Sequence, residues 1–145
     1  MEPIITWVLL ADRTVAHIAE NRGHGTELKK LYDKTLHARE EPGYSDQQGR
    51  GMNGVGTAQH KMEKHIEYTR NEEAFAKQVV NRLEKDRQHD KFHRLIICAG
   101  PAMLGLLRRY ISNELASCIT HEIPKDLTHL PLLELKRHFD GVVNL

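Results

Sequence analysis

Cysteine is nearly absent. Cys98 and Cys118 are the only two, and they form neither a C-x-x-C pair nor a disulfide framework, so a cysteine-stapled fold and a cysteine-built zinc site are excluded. Cys98 lies inside an apolar run and Cys118 behind a helical pattern, and both are expected to be buried and inert. Serine is as scarce: Ser45, Ser112 and Ser117 stand without the flanking glycines of a nucleophile elbow. An excess of one charge is missing too. The formal net charge of +1 gives no overall pull toward nucleic acid or membrane, so any such contact must come from a local patch. The longest N-terminal apolar run, Ile4 to Ala11, is too short to span a bilayer, and it follows an acidic Glu2 rather than a basic start. A cytoplasmic protein with no membrane insertion is therefore expected.

Metal and phosphate motifs are also wanting. Ten histidines include the pairs His60/His65 and His89/His93, but neither has the HExxH grammar or a nearby cysteine, and exposed polar residues are expected there. "CAGPAMLG" places glycines between a strand and a helix, yet it has neither the GxGxxG nor the GK[ST] spacing and reads as a tight connection. No metal and no cofactor are expected.

What is present is an ordered alternation of patterns in 145 residues, enough for one domain. "IITWVLLA" reads as a buried strand, and "TVAHIAE" as its hairpin partner across the turn-like "DR". "NRGHG" turns the chain. "TELKKLYDKTL" fits a strand or a helix, and the strand is favoured. Tyr68, Phe75, Val79 and Leu83, with Ala76 and Val80, mark an amphipathic helix from about Glu63 to Gln88. "FHRLIICAG" suits a central strand covered on both faces. Pro101 opens a helix whose one face is Met103, Leu107, Tyr110, Ile111 and Leu115, and "CITHEIP" and "PLLELKRHF" supply a last strand and a short last helix. The order predicts a single α/β domain over 1–145 with a mixed five-stranded sheet of ribonuclease H type. A three-strand meander is followed by two parallel strands added through right-handed crossovers.

A nuclease on that fold needs several carboxylates at the ends of its central strands. Asp12 is at a plausible place, but "ICAGPAM" brings no acid beside it, so Asp12 is read as a turn residue. Attention falls instead on "GYSDQQGRGMNGVGTAQHK", Gly43 to Lys61, which holds five of the ten glycines. A flexible glycine-rich loop over about 38–62 is expected. Long loops in compact domains are commonly functional, and this one runs into a helix start that favours anions. Its candidate RNA-binding residues are Arg39, Gly49, Arg50, Gly51, Gly54, Gly56, His60, Lys61, Lys64 and His65.

"WVLLADRTVAHI", the glycine-rich loop, "FHRLIICAGPAMLGLLR" and above all "EIPKDLTHLPLLELKRHF" resemble the bacterial host-attachment protein family, from Trp7 to Phe139. That family is similar to the middle domain of archaeal and eukaryotic class-1 peptide release factors and of Pelota-type rescue factors. The resemblance implies a ribonuclease H-like sheet and a loop that reaches into an RNA-lined ribosomal site. In the release factors that loop carries Gly-Gly-Gln. Here Met52 and Asn53 follow "GRG" where Gly and Gln are wanted, and Gln59 is separated from Gly56 by two residues. A methionine does not copy glycine's backbone freedom, so no catalytic role is carried over, and Gln59 is the one catalytic candidate. The function expected is a largely non-enzymatic, translation-associated factor that binds the ribosome or tRNA through its loop. The alternatives are a protein-interaction module that affects host attachment indirectly through a protein partner, and a peptidyl-tRNA ester hydrolase using Gln59.

Overall fold

The computed structural model describes residues 3–23, 25–38 and 57–139, with the backbone alone for 57–69. β1 (Thr6–Ala11) is the hub of the sheet, and each of its six residues is buried. It pairs antiparallel with β2 (Val15–Asn21), setting Trp7 opposite Glu20 and Leu9 opposite Ile18. On its other side it pairs parallel with β5 (Arg94–Ala99), setting Leu9 opposite Ile97. β6 (Ile119–Ile123) extends the sheet in parallel beyond β5. The meander and the two added parallel strands therefore stand as the sequence predicts.

The third position is less regular than expected. β3 (Lys29–Lys30) and β4 (Leu36–His37) both pair antiparallel with β2, and a 3-10 turn at Tyr32–Lys34 separates them. "TELKKLYDKTL" is thus one strand in position and two in hydrogen bonding, giving six strands in five positions.

Because side chains alternate across a strand, the central apolar runs supply two cores. Trp7, Leu9, Ala11, Leu95, Ile97 and Ala99 face α1 (Thr57–Gln88), α2 (Pro101–Tyr110) and α3 (Asn113–Ala116), meeting Phe75, Val79, Leu83, Leu107 and Leu115. Val8, Leu10, Ile96 and Cys98 face the other way, onto Leu127 and onto Leu135 and Phe139 of α4 (Leu132–Phe139). Burial pushes the Cys98 thiol up to about 12, which makes it the inert cysteine the sequence suggests.

Two helix boundaries differ from expectation. α1 starts at Thr57, directly after the last glycine of the run, and not near Glu63. Ala58, Gln59, Lys61 and Met62 are good helix formers, but they carry no part of the Phe75–Leu83 apolar stripe that marks the rest. The helix opened by Pro101 stops at Tyr110, and Leu115 belongs to α3. Ser112 makes the break by capping the new helix, its Oγ accepting a hydrogen bond from the Leu115 amide at 3.1 Å.

Candidate functional site

The carboxyl ends of β1 and β5 point the same way, and open α/β sheets place ligands in the crevice beyond such ends. A cleft of about 240 Å³ lies there, lined by Asp12, Arg13, Glu72, Gly100, Pro101, Ala102, Met103 and Asp126.

Asp12 follows β1 and closes the hairpin. Its Oδ1 accepts hydrogen bonds from the Thr14 amide at 2.8 Å, the Thr14 hydroxyl at 3.0 Å and the Val15 amide at 2.8 Å. This is the turn role expected of it. Burial raises its carboxyl, but the amides of Thr14 and Val15 and the Thr14 hydroxyl outweigh that and hold it below the ordinary 3.8. Such a carboxylate lends stability above its unfolded value and loses it as pH falls through the lower folded one. Asp12→Asn is therefore expected to cost about 1 kcal/mol at neutral pH, from the weakened charge-assisted bonds. The difference should shrink steadily below pH 3.8 in urea unfolding curves; a difference independent of pH would show the charge to be irrelevant.

β5 ends at Ala99, and Gly100 caps α2 with Pro101 at its first position, where no amide is lost. That first turn forms one wall of the cleft. Arg13 reaches across to α1, its Nε 3.3 Å from Glu72 Oε1.

The remaining wall comes from the segment after β6. Leu127 and Thr128 are buried and anchor it. Asp126 Oδ1 accepts from the Thr128 amide at 3.0 Å and from its hydroxyl at 2.6 Å. The same hydroxyl stands 3.4 Å from Asp12 Oδ2, joining segments 116 positions apart. His129 Nε2 lies 3.9 Å from Asp12 Oδ2. Asp12, Asp126 and His129 can each present a ligand atom within 4.8 Å of the others, so among the described residues these three side chains are the ones able to share a cation. Three carboxylates against one guanidinium make the cleft electronegative.

Sequence reasoning missed this meeting. The fold calls for a second acid at the end of β5, whereas the acid arrives from "KDLTH" after β6, the stretch that carries the family likeness. Asp126 two residues before Thr128 was the available signal, since that spacing makes an Asx turn with side chains fixed in place.

The sequence-derived RNA-binding residues are not part of this cleft. Arg39, Gly49, Arg50, Gly51, Gly54 and Gly56 lie outside the described residues. Gln59, His60, Lys61, Lys64 and His65 fall on α1, where the backbone alone is described. His89 and His93 do separate work: the His89 ring Nδ1 lies 2.7 Å from the Lys85 carbonyl, and His93 Nδ1 accepts from the Ile5 amide at 2.9 Å. His17 is half-buried with Nδ1 3.4 Å from Thr35 Oγ1, and burial followed by the Lys30 charge pushes its imidazole below the usual value.

A family model described as "Protein required for attachment to host cells" matches residues 7–139. Among solved structures, the chain is similar to an archaeal translation termination factor, with TM-score 0.53 and 15% identity over 97% of this chain and 35% of that one. An archaeal protein aligns with TM-score 0.49 and 15% identity over the same shares. This chain thus spans about a third of the length of the solved chains it matches. No curated protein sequence matches it. Among the described residues no helix is long and apolar enough to cross a membrane.

Proposed function

The chain belongs to the family of proteins required for attachment to host cells, and from that premise we propose that it is a cytoplasmic, translation-associated factor that binds ribosomal RNA or tRNA. The contact is assigned to the segment between β4 and the first turns of α1, through Arg39, Arg50, Lys61 and Lys64 and the glycines among them. The observation that supports this reading is the fold, which along 97% of the chain is similar to about a third of an archaeal translation termination factor. The composition of the segment supports it as well, since glycines let a backbone approach phosphates closely and, although the formal charges of the whole segment cancel, cations outnumber acids three to one from Arg50 onward.

The test is binding of labelled tRNA and of purified ribosomes across a salt series. Neutralising the four cations is expected to lower affinity and to flatten the salt dependence by about 0.7–0.9 in log–log slope for each phosphate no longer neutralised. Loop-dependent migration with ribosomes in a sucrose gradient is the companion observation. A protein that stays at the top of the gradient, with affinity for tRNA unchanged by the four substitutions, would overturn the assignment and favour a protein partner.

A further inference from the structure

The cleft at the strand ends has chemistry that RNA contact through the loop does not use. Two carboxylates and one imidazole converge there from segments that only the fold brings together. Asp12 is fixed by three hydrogen bonds, all to Oδ1. Its Oδ2 is left with the long contact to the Thr128 hydroxyl at 3.4 Å. That hydroxyl has one proton, and Asp126 takes it at 2.6 Å. Among the described residues, Asp12 Oδ2 is therefore a pinned acceptor of negative charge without a strong donor. The cationic candidate beside it, His129 Nε2 at 3.9 Å, is beyond hydrogen-bonding distance.

We propose that Asp12, Asp126 and His129 bind one divalent transition-metal ion of the zinc or manganese type. Two ligand atoms on a tetrahedral ion at about 2.1 Å stand about 3.4 Å apart, so the three need close in by no more than about 1.4 Å. His129 is exposed and free to make that movement, while Asp12 and Asp126 stay fixed in their turns. An imidazole beside two carboxylates suits zinc or manganese, whereas magnesium and calcium prefer all-oxygen sets. Three protein ligands leave further coordination positions for water, on the side where Asp12 and Asp126 line the cleft. Bound there, the ion ties the β1–β2 hairpin to the segment after β6.

The experiment is calorimetric titration of the full chain with ZnCl2 and MnCl2, alongside thermal unfolding with each salt and with MgCl2. One ion per chain is expected, with a rise in melting temperature that grows with metal concentration. His129→Ala and Asp126→Asn should each weaken binding by about tenfold or more while leaving the metal-free melting temperature close to that of the unaltered chain. His89→Ala, at an exposed histidine elsewhere, should leave the titration unchanged. Binding that survives both site variants, or that falls only with His89→Ala, would overturn the assignment. Magnesium protecting as well as zinc would overturn the class of ion. RNA affinity is read separately, so a failure here does not bear on the loop.

Discussion

Trp7→Ala is expected to cost about 3–5 kcal/mol of folding stability. Trp7 is buried where β1 begins, and its ring packs against Phe92 with centroids 4.9 Å apart. Its Nε1 donates to Glu20 Oε2 at 3.0 Å, and Lys34 Nζ stands 5.9 Å from the ring centroid. Truncation opens a cavity between sheet and helix, and it also removes a donor from a buried carboxylate whose other partner is Arg22 at 2.7 Å. Against a total of about 5–15 kcal/mol for a typical domain, that loss is a large fraction. Trp7→Phe keeps most of the packing and isolates the hydrogen bond, for which about 1–3 kcal/mol is expected. Trp7 is the chain's one tryptophan, so circular dichroism in urea must supply the signal. A loss below about 1 kcal/mol for the alanine variant would mean that the ring is not part of the core.

The second large effect lies beside it. Lys34, in the 3-10 turn that divides the third strand, places Nζ 3.1 Å from Asp86 Oδ1 on α1, and both side chains are largely buried. Among the described residues, Asp86 Oδ2 has no hydrogen-bond partner and only a looser ion pair with Arg82 at 3.6 Å. Lys34→Met is expected to cost about 2–3 kcal/mol, because it leaves a desolvated carboxylate with one distant cation. Adding Asp86→Leu should return most of that loss, since an apolar pair needs no charge compensation. A double-mutant cycle in denaturant gives the coupling directly. Additive losses would show that the two side chains are solvated independently.

The elements legible in the sequence are those whose burial follows one rule along their length. "IITWVLLA", but for Thr6, and "LIICA" are apolar because β1 and β5 are covered on both sides, and Phe75 to Leu83 repeat at helical steps because only one face of α1 meets the sheet. "TELKKLYDKTL" is ambiguous because Lys29, Lys30 and Leu36 pair with β2 and the turn between them does not, so no single period runs through it. The join between α2 and α3 was hidden because Leu107 and Leu115 lie in one core although a serine cap resets the chain between them. Asp12 could be recognised as a turn residue from its neighbours alone. Its meeting with Asp126 and His129 depends on where β1 and the segment after β6 end in space, and local spacing carries no trace of that.

The broken third strand also bears on how these molecules behave in a crowded solution. An exposed strand is a template on which another chain can grow a sheet, and proteins blunt such templates by keeping them short, charged or bent. Lys29–Lys30 and Leu36–His37 each offer an incoming strand only two consecutive residues, and the turn between them steps out of line. The lysine pair adds repulsion between like copies at the same place. Straightening this stretch, for example by deleting the turn to make one continuous strand, would gain hydrogen bonds to β2 and at the same time turn a protected margin into a nucleus for aggregation.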